Sequence, residues 1–318
     1  MSAPARDAYW DNCRAVLMWL VVLGHTIQLM DAGHFFANPL FKAIYLFHVP
    51  LFMWVSGYFA LGSLNKDGLK VIPKRAVRLL LPIATIGSLQ VALLLWQGKD
   101  SWQAVLGAYH CMWFLWSLFE CFCFAAMMQL WQNRLWKFAA ALLPILVSVL
   151  QPEALPYGPY LSFVWPFFLM GMYCRYKGVQ TRHFNWRWLG VLPVAVVIFY
   201  FYRNHWYMYL SPLKLQWDSL GIWSFRIVAA VVSGIIFLAL MRFINFRLLS
   251  QMGKGTLGIY VVQCVSFTLA AKIAICPTDV PLCLIVPASI VFFVASYSIY
   301  CLTRSIPILG TALYGGRN

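Results

Sequence analysis

An arginine and a histidine, Arg14 and His25, stand eleven positions apart, separated by the uncharged run Ala15-Val16-Leu17-Met18-Trp19-Leu20-Val21-Val22-Leu23-Gly24. At ~100° and ~1.5 Å per residue, a helix returns both side chains to nearly one face, about 16 Å apart. The guanidinium would lie near the lipid head groups and the imidazole roughly halfway through a ~30 Å hydrocarbon layer. An ionisable group at that depth is costly, which makes it a candidate site; the plainer alternative is a polar residue tying two helices together. Asp11, Met18 and Gln28 extend the same stripe.

The elements that must carry this stripe follow from composition. The chain has 318 residues, 62% of them hydrophobic and 10% charged, with a mean hydropathy of +0.74. Soluble domains average about 25% charged residues, so an all-α polytopic membrane protein is expected. Apolar runs predict ten spans, at 15–32, 41–62, 79–97, 109–131, 138–151, 161–175, 189–202, 219–241, 256–275 and 284–303. Pro144, Pro166 and Pro193 are expected to kink three of them. The polar start Met1 to Asn12 has no cleavable signal behind it, so the first helix is expected to remain in the membrane.

The net charge of +15 is topological rather than a nucleic-acid footprint. With the N-terminus inside, all 24 basic residues but Lys42, Lys99, Arg203, Lys214, Arg226 and Lys272 fall on inside segments. That asymmetry puts both termini in the cytoplasm. No zinc-like Cys/His spacing occurs, and Cys276 and Cys283 flank an outward loop where a disulfide is one option. No repeat or soluble appendage interrupts the chain, so residues 1–318 read as one membrane domain.

Further polar residues gather in few places. His48, in Phe47-His48-Val49-Pro50, is either a site residue or the partner of a carbonyl freed by Pro50. Lys74, Arg75 and Arg78 converge on a helical turn after Lys70, suiting phosphates or anionic lipid. Glu120 is the one acid well inside an apolar span and needs a partner or a proton. Arg226 is its lone basic counterpart: it snorkels, pairs with Glu120 or faces an acceptor. Tyr157, Tyr160, Arg203, His205, Trp206, Tyr207 and Tyr209 enrich outward loops; they suit sugar rings or an aromatic belt equally.

These features together resemble the acyltransferase-3 family of integral membrane O-acyltransferases. Arg14, ten residues and His25 are similar to its first-helix signature. Phe47-His48-Val49-Pro50-Leu51-Phe52 running into Ser56-Gly57-Tyr58 resembles its second-helix motif, in the form of the fucose O-acetyltransferase-like branch. Lys74-Arg75-Ala76-Val77-Arg78-Leu79-Leu80-Leu81-Pro82 is similar to its basic motif. Trp113-Phe114-Leu115, Phe167-Phe168-Leu169-Met170-Gly171 and Gly253-Lys254-Gly255-Thr256-Leu257-Gly258-Ile259-Tyr260 resemble later ones. Two positions depart from the pattern: Gln263 stands where a histidine is common, and Glu120 lies one residue earlier than the usual acid.

The resemblance implies an acyl-CoA donor, usually acetyl-CoA, with no metal. It implies a hydroxyl acceptor on a cell-envelope glycan or lipid-linked sugar, and a multi-pass location in the bacterial inner (cytoplasmic) membrane. His25 would be the general base, directly or through an acyl-histidine, with Glu120 the second candidate catalytic residue. Arg14, Lys74, Arg75 and Arg78 would hold the donor, and Asp11 would hold Arg14. Ser56, Tyr58 and Trp116 are candidate oxyanion donors, with His48 and Arg226 in supporting or acceptor-contacting roles. The rival classes are a secondary transporter or flippase of a polysaccharide precursor and an inactive scaffold of an assembly complex. No pair of matching interrupted helices supports transport. Oligomeric state is not written in these features.

Overall fold

The computed structural model describes residues 7–96, 98, 101–131, 133–150, 157–180, 183–273 and 280–316, and among them there is no strand. The helices are α1 (Ala8–Met30), α2 (Pro39–Tyr45), α3 (His48–Asp67), α4 (Val71–Trp96), α5 (Trp102–His110), α6 (Trp113–Met128) and α7 (Arg134–Leu150). They continue as α8 (Gly158–Tyr176), α9 (Leu192–Phe201), α10 (Trp217–Leu240), α11 (Arg247–Lys254), α12 (Thr256–Ile273), α13 (Leu282–Ser305) and α14 (Pro307–Tyr314).

Each of the ten apolar stretches contains a helix. Four segments are long and apolar enough to cross a bilayer: Ala8–Met30, Pro39–Trp96, Trp217–Phe243 and Leu282–Ser305. The second holds α2, α3 and α4 in series, more chain than one ~30 Å crossing uses. The protein is an all-helical membrane protein. Short α2, α5, α11 and α14 were not expected, being too brief to stand out as spans. Pro144 and Pro166 lie inside α7 and α8 as expected. Pro193 instead sits in the first turn of α9, where its missing N–H has no helical partner to lose and the ring causes no kink. Cys276 lies outside the described residues, and the disulfide option with it.

The chain packs as two compact units. The first comprises Met1–Phe52, Val179–Trp206 and Ser224–Tyr300; the second comprises Met53–Gly178, Tyr207–Trp223 and Cys301–Asn318.

In the first unit α1 is pinned along its length. Asp7 caps its N-terminus by accepting the Tyr9 N–H at 3.0 Å. The Tyr9 hydroxyl donates to the Leu238 carbonyl at 2.6 Å, and the Trp19 indole donates to Ser289 Oγ at 3.1 Å. At its far end the Met30 carbonyl accepts from the Val280 N–H at 3.1 Å. The Gly253 motif has a packing reason: a Cβ on Gly253 would collide with the Asp11 carbonyl, and one on Gly258 with the Tyr300 ring. Only hydrogen at these positions lets α11 and α12 close on α1 and α13.

In the second unit the same device joins two other motifs. A Cβ on Gly57 of α3 would meet the Phe168 carbonyl, and one on Gly171 of α8 would meet the Trp54 carbonyl. The two helices thus cross backbone to backbone. The Trp165 indole of α8 donates to the Ala141 carbonyl of α7 at 2.7 Å, one turn before Pro144. Thr85 Oγ1 donates to the Ala312 carbonyl at 2.9 Å, tying α14 to α4.

Candidate functional site

His25 lies on α1 in a partly buried position. Phe267 of α12 meets it edge to face at 5.7 Å. One turn earlier on α12, the Gln263 carboxamide lies beside the imidazole. Both polar atoms of that amide are buried without a normally shaped hydrogen bond among the described residues. A buried amide left unmet is costly, so one face of α12 presents His25 with a group that has spare hydrogen-bonding capacity.

Toward the N-terminus of α1, Arg14 Nη1 donates to Asp11 Oδ1 at 3.2 Å. The aspartate side chain is 2% exposed and that of the arginine 22%. The pair therefore anchors one edge of the guanidinium while part of the side chain reaches solvent.

His48 is built differently. It is 3% exposed, and Nδ1 donates to the Ile44 carbonyl at 2.8 Å. A carbonyl only accepts, so Nδ1 carries the hydrogen and Nε2 keeps its lone pair. That carbonyl lies at the turn between α2 and α3, where it also accepts the Phe47 N–H at 3.2 Å. Tyr45 meets the His48 ring at 4.5 Å, and His48 lies within electrostatic reach of His25. Arg226 of α10 is also buried, with Nη1 donating to the Trp206 carbonyl at 3.3 Å.

In the second unit, Lys74, Arg75 and Arg78 all lie on α4, as the spacing predicts. Lys74 Nζ donates to Asp67 Oδ2 at 2.7 Å, on an exposed surface. The bonded ammonium holds the Asp67 carboxyl below its ordinary range. Arg75 reaches Ser63 Oγ at 3.4 Å and lies over the Phe122 ring at 4.5 Å. Arg78 is half-buried on the same helix. Tyr58 accepts a hydrogen bond from Arg175 Nη1 at 3.4 Å, while Ser56 and Trp116 are half-buried.

Glu120 is 6% exposed on α6, and neither carboxyl oxygen has a hydrogen-bond partner among the described residues. The Ser117 and Tyr157 hydroxyls are likewise buried and unmet. Glu120 lies close to Tyr157, near enough to feel its backbone N–H and its phenol.

Sequence reasoning counted Arg175 only toward topology and passed over Ser117. Arg175 follows Gly171 by one helical turn, which puts both on the face of α8 that meets α3. Ser117 is one turn before Glu120 and offered a similar clue. No group of three or more His, Cys, Asp or Glu that could hold a metal occurs among the described residues.

Comparison with known proteins bears on this geometry. Nodulation protein NolL of Sinorhizobium fredii is 29% identical over 294 residues, covering 83% of this chain and 79% of the relative. Nodulation protein NolL of Mesorhizobium japonicum is 27% identical over 295 residues, covering 83% and 77%. No solved structure matches the chain. A family model described as an acyltransferase domain matches residues 7–301, a span that holds α1 and every candidate site residue, and the chain therefore belongs to the acyltransferase-3 family.

Proposed function

We propose that this protein is a multi-pass O-acyltransferase of the bacterial cytoplasmic membrane, with residues 1–318 acting as one domain. It transfers an acyl group, acetyl in the first instance, from cytoplasmic acyl-CoA to a hydroxyl of a cell-envelope glycan or lipid-linked sugar. Both termini lie in the cytoplasm, where the donor is found. The observation that carries this reading is the His25 ring. It is carried partly buried on an apolar helix, eleven residues after Arg14 and beside the Gln263 amide, in a chain of an acyltransferase family.

Neutral His25 takes the proton of the acceptor hydroxyl as its oxygen attacks the thioester carbonyl. The tetrahedral intermediate collapses with cleavage of the C–S bond. The departing CoA thiolate recovers the proton from the imidazolium, leaving an ester, free CoA and His25 as it began. Such a base contributes about 10²–10⁴-fold in rate, and imidazole suits it near neutral pH. Arg14, set by Asp11, and the group Lys74, Arg75 and Arg78 bind the donor phosphates. Ser56, Tyr58 and Trp116 are the candidate donors to the oxyanion. Gln263 orients His25, and His48 and Arg226 support the helices around it. Glu120 serves the acceptor.

The test is to incubate purified protein with labelled acetyl-CoA and extracted envelope glycans. Alkali-labile label should appear in the glycan, and replacing Arg14, Arg75 or Arg78 with Ala should weaken acetyl-CoA binding roughly tenfold each. Absence of labelled glycan, or unchanged donor affinity in all three variants, would overturn the assignment.

A further inference from the structure

Five aromatic side chains from separate stretches of the second unit converge near the start of α6. Trp113 meets Tyr160 edge-on at 5.2 Å and Tyr209 edge-on at 5.9 Å, and Tyr160 meets Tyr209 at 5.7 Å. Tyr157 stacks on Tyr160 at 5.9 Å and lies 5.3 Å from the His110 ring. Trp113, Tyr160 and Tyr209 are half-exposed and His110 is exposed, while Tyr157 is buried. By the topology proposed above, all three connections that contribute these residues lie on the outer side of the membrane.

Beneath the rings lie polar groups that make no well-shaped hydrogen bond among the described residues, although the Tyr157 N–H approaches Glu120. Trp113, Ser117 and Glu120 are i, i+4 and i+7 on α6, one stripe leading inward from the aromatic rim. The Ser117 hydroxyl, both Glu120 oxygens and the Tyr157 hydroxyl are buried and unmet among the described residues. Buried polar groups are normally satisfied, so several orphans along one stripe mark a place where a ligand supplies the partners. An aromatic belt does not account for this: belt residues spread around a bundle to face head groups, whereas these rings face one another over a buried carboxyl.

Half-exposed rings beside a cluster of hydroxyl and carboxyl groups match a pyranose. The apolar C–H face of the sugar lies on an aromatic ring, and its hydroxyls donate to a carboxylate and exchange bonds with Ser and Tyr. We infer that Trp113, Tyr160 and Tyr209, with Ser117, Glu120 and Tyr157, form a binding subsite for one sugar ring of the acceptor glycan. The inference deepens the acyltransferase reading and rests on it for the word acceptor, although the sugar-binding chemistry stands on these residues alone.

The experiment titrates the full-length protein, in a detergent without a sugar head group, with the methyl pyranosides of glucose, galactose, mannose and fucose, following tryptophan fluorescence and calorimetric heat. Acyl transfer to extracted glycans is measured in parallel. At least one pyranoside should bind saturably. Trp113→Ala and Glu120→Gln should each weaken that binding roughly tenfold, with acetyl-CoA affinity unchanged. Trp113→Phe, which keeps a ring, should retain most of the affinity and controls for folding. Saturable binding together with failed transfer would uphold the subsite and remove the acyltransferase reading. Transfer with an acceptor KM unmoved in Trp113→Ala and Glu120→Gln would leave that reading and overturn the subsite. Absence of saturable binding to all four pyranosides would overturn it as well.

Discussion

His48 spends its Nδ1 hydrogen on the Ile44 carbonyl at 2.8 Å and is 3% exposed, whereas His25 is partly buried beside a Gln263 amide that bonds to nothing else described. The two histidines belong to the same compact unit. For the first, the turn between α2 and α3 presents the Ile44 carbonyl, which accepts from both the Phe47 N–H at 3.2 Å and the ring. For the second, the surroundings leave the ring's hydrogen-bonding capacity open. Burial of a histidine in an apolar helix is therefore not evidence of chemistry until its nitrogens are accounted for.

His25→Ala probes that contrast most sharply. It should lower kcat by about 10²–10⁴-fold while leaving acetyl-CoA binding intact, measured by turnover and by calorimetric titration. His48→Ala should show the opposite profile. It removes one of the two donors to the Ile44 carbonyl, which keeps the Phe47 N–H, and should cost about 0.5–1.5 kcal/mol in thermal unfolding, with the rate per folded molecule reduced less than roughly tenfold.

Gln263→Leu sharpens the contrast from the partner's side. Removing an unmet buried amide should leave stability unchanged or slightly raised. Loss of His25 orientation should cost about 1 kcal/mol, roughly fivefold in kcat. The smallest effect belongs to the exposed Lys74–Asp67 pair. Its carboxyl is held below the ordinary value of 3.8, so any stability it adds is complete above that pH and fades as pH falls through the folded value. Asp67→Asn should flatten that acid limb in unfolding scans, lowering stability slightly near neutrality and leaving it unchanged below the folded value.

The α1 stripe was legible in the sequence because 3.6-residue periodicity places Asp11, Arg14 and His25 without reference to any other helix. The ten apolar stretches were legible for the same reason, since hydropathy is local. Helices α2 and α11 were not: at seven and eight residues they fall below any span-length signal. The neighbours that distinguish His25 from His48 were hidden for a different reason. Gln263 lies far along the chain, and its approach depends on glycines such as Gly253 and Gly258 that permit backbone contact. Those glycines were visible as motif residues, but a motif does not announce which carbonyl or ring it must admit. The His48 bond was half-anticipated: a bond to a neighbouring carbonyl was expected, but one freed by Pro50, whereas the acceptor is Ile44 at the turn between α2 and α3, which the Phe47 N–H also bonds.

The decisive measurement compares wild type, His25→Ala and His48→Ala side by side, reconstituted at equal folded amounts with labelled acetyl-CoA and extracted envelope glycans. Label in the glycan should fall to about one hundredth or less for His25→Ala and remain within roughly tenfold of wild type for His48→Ala. Wild-type labelling by His25→Ala would contradict the account.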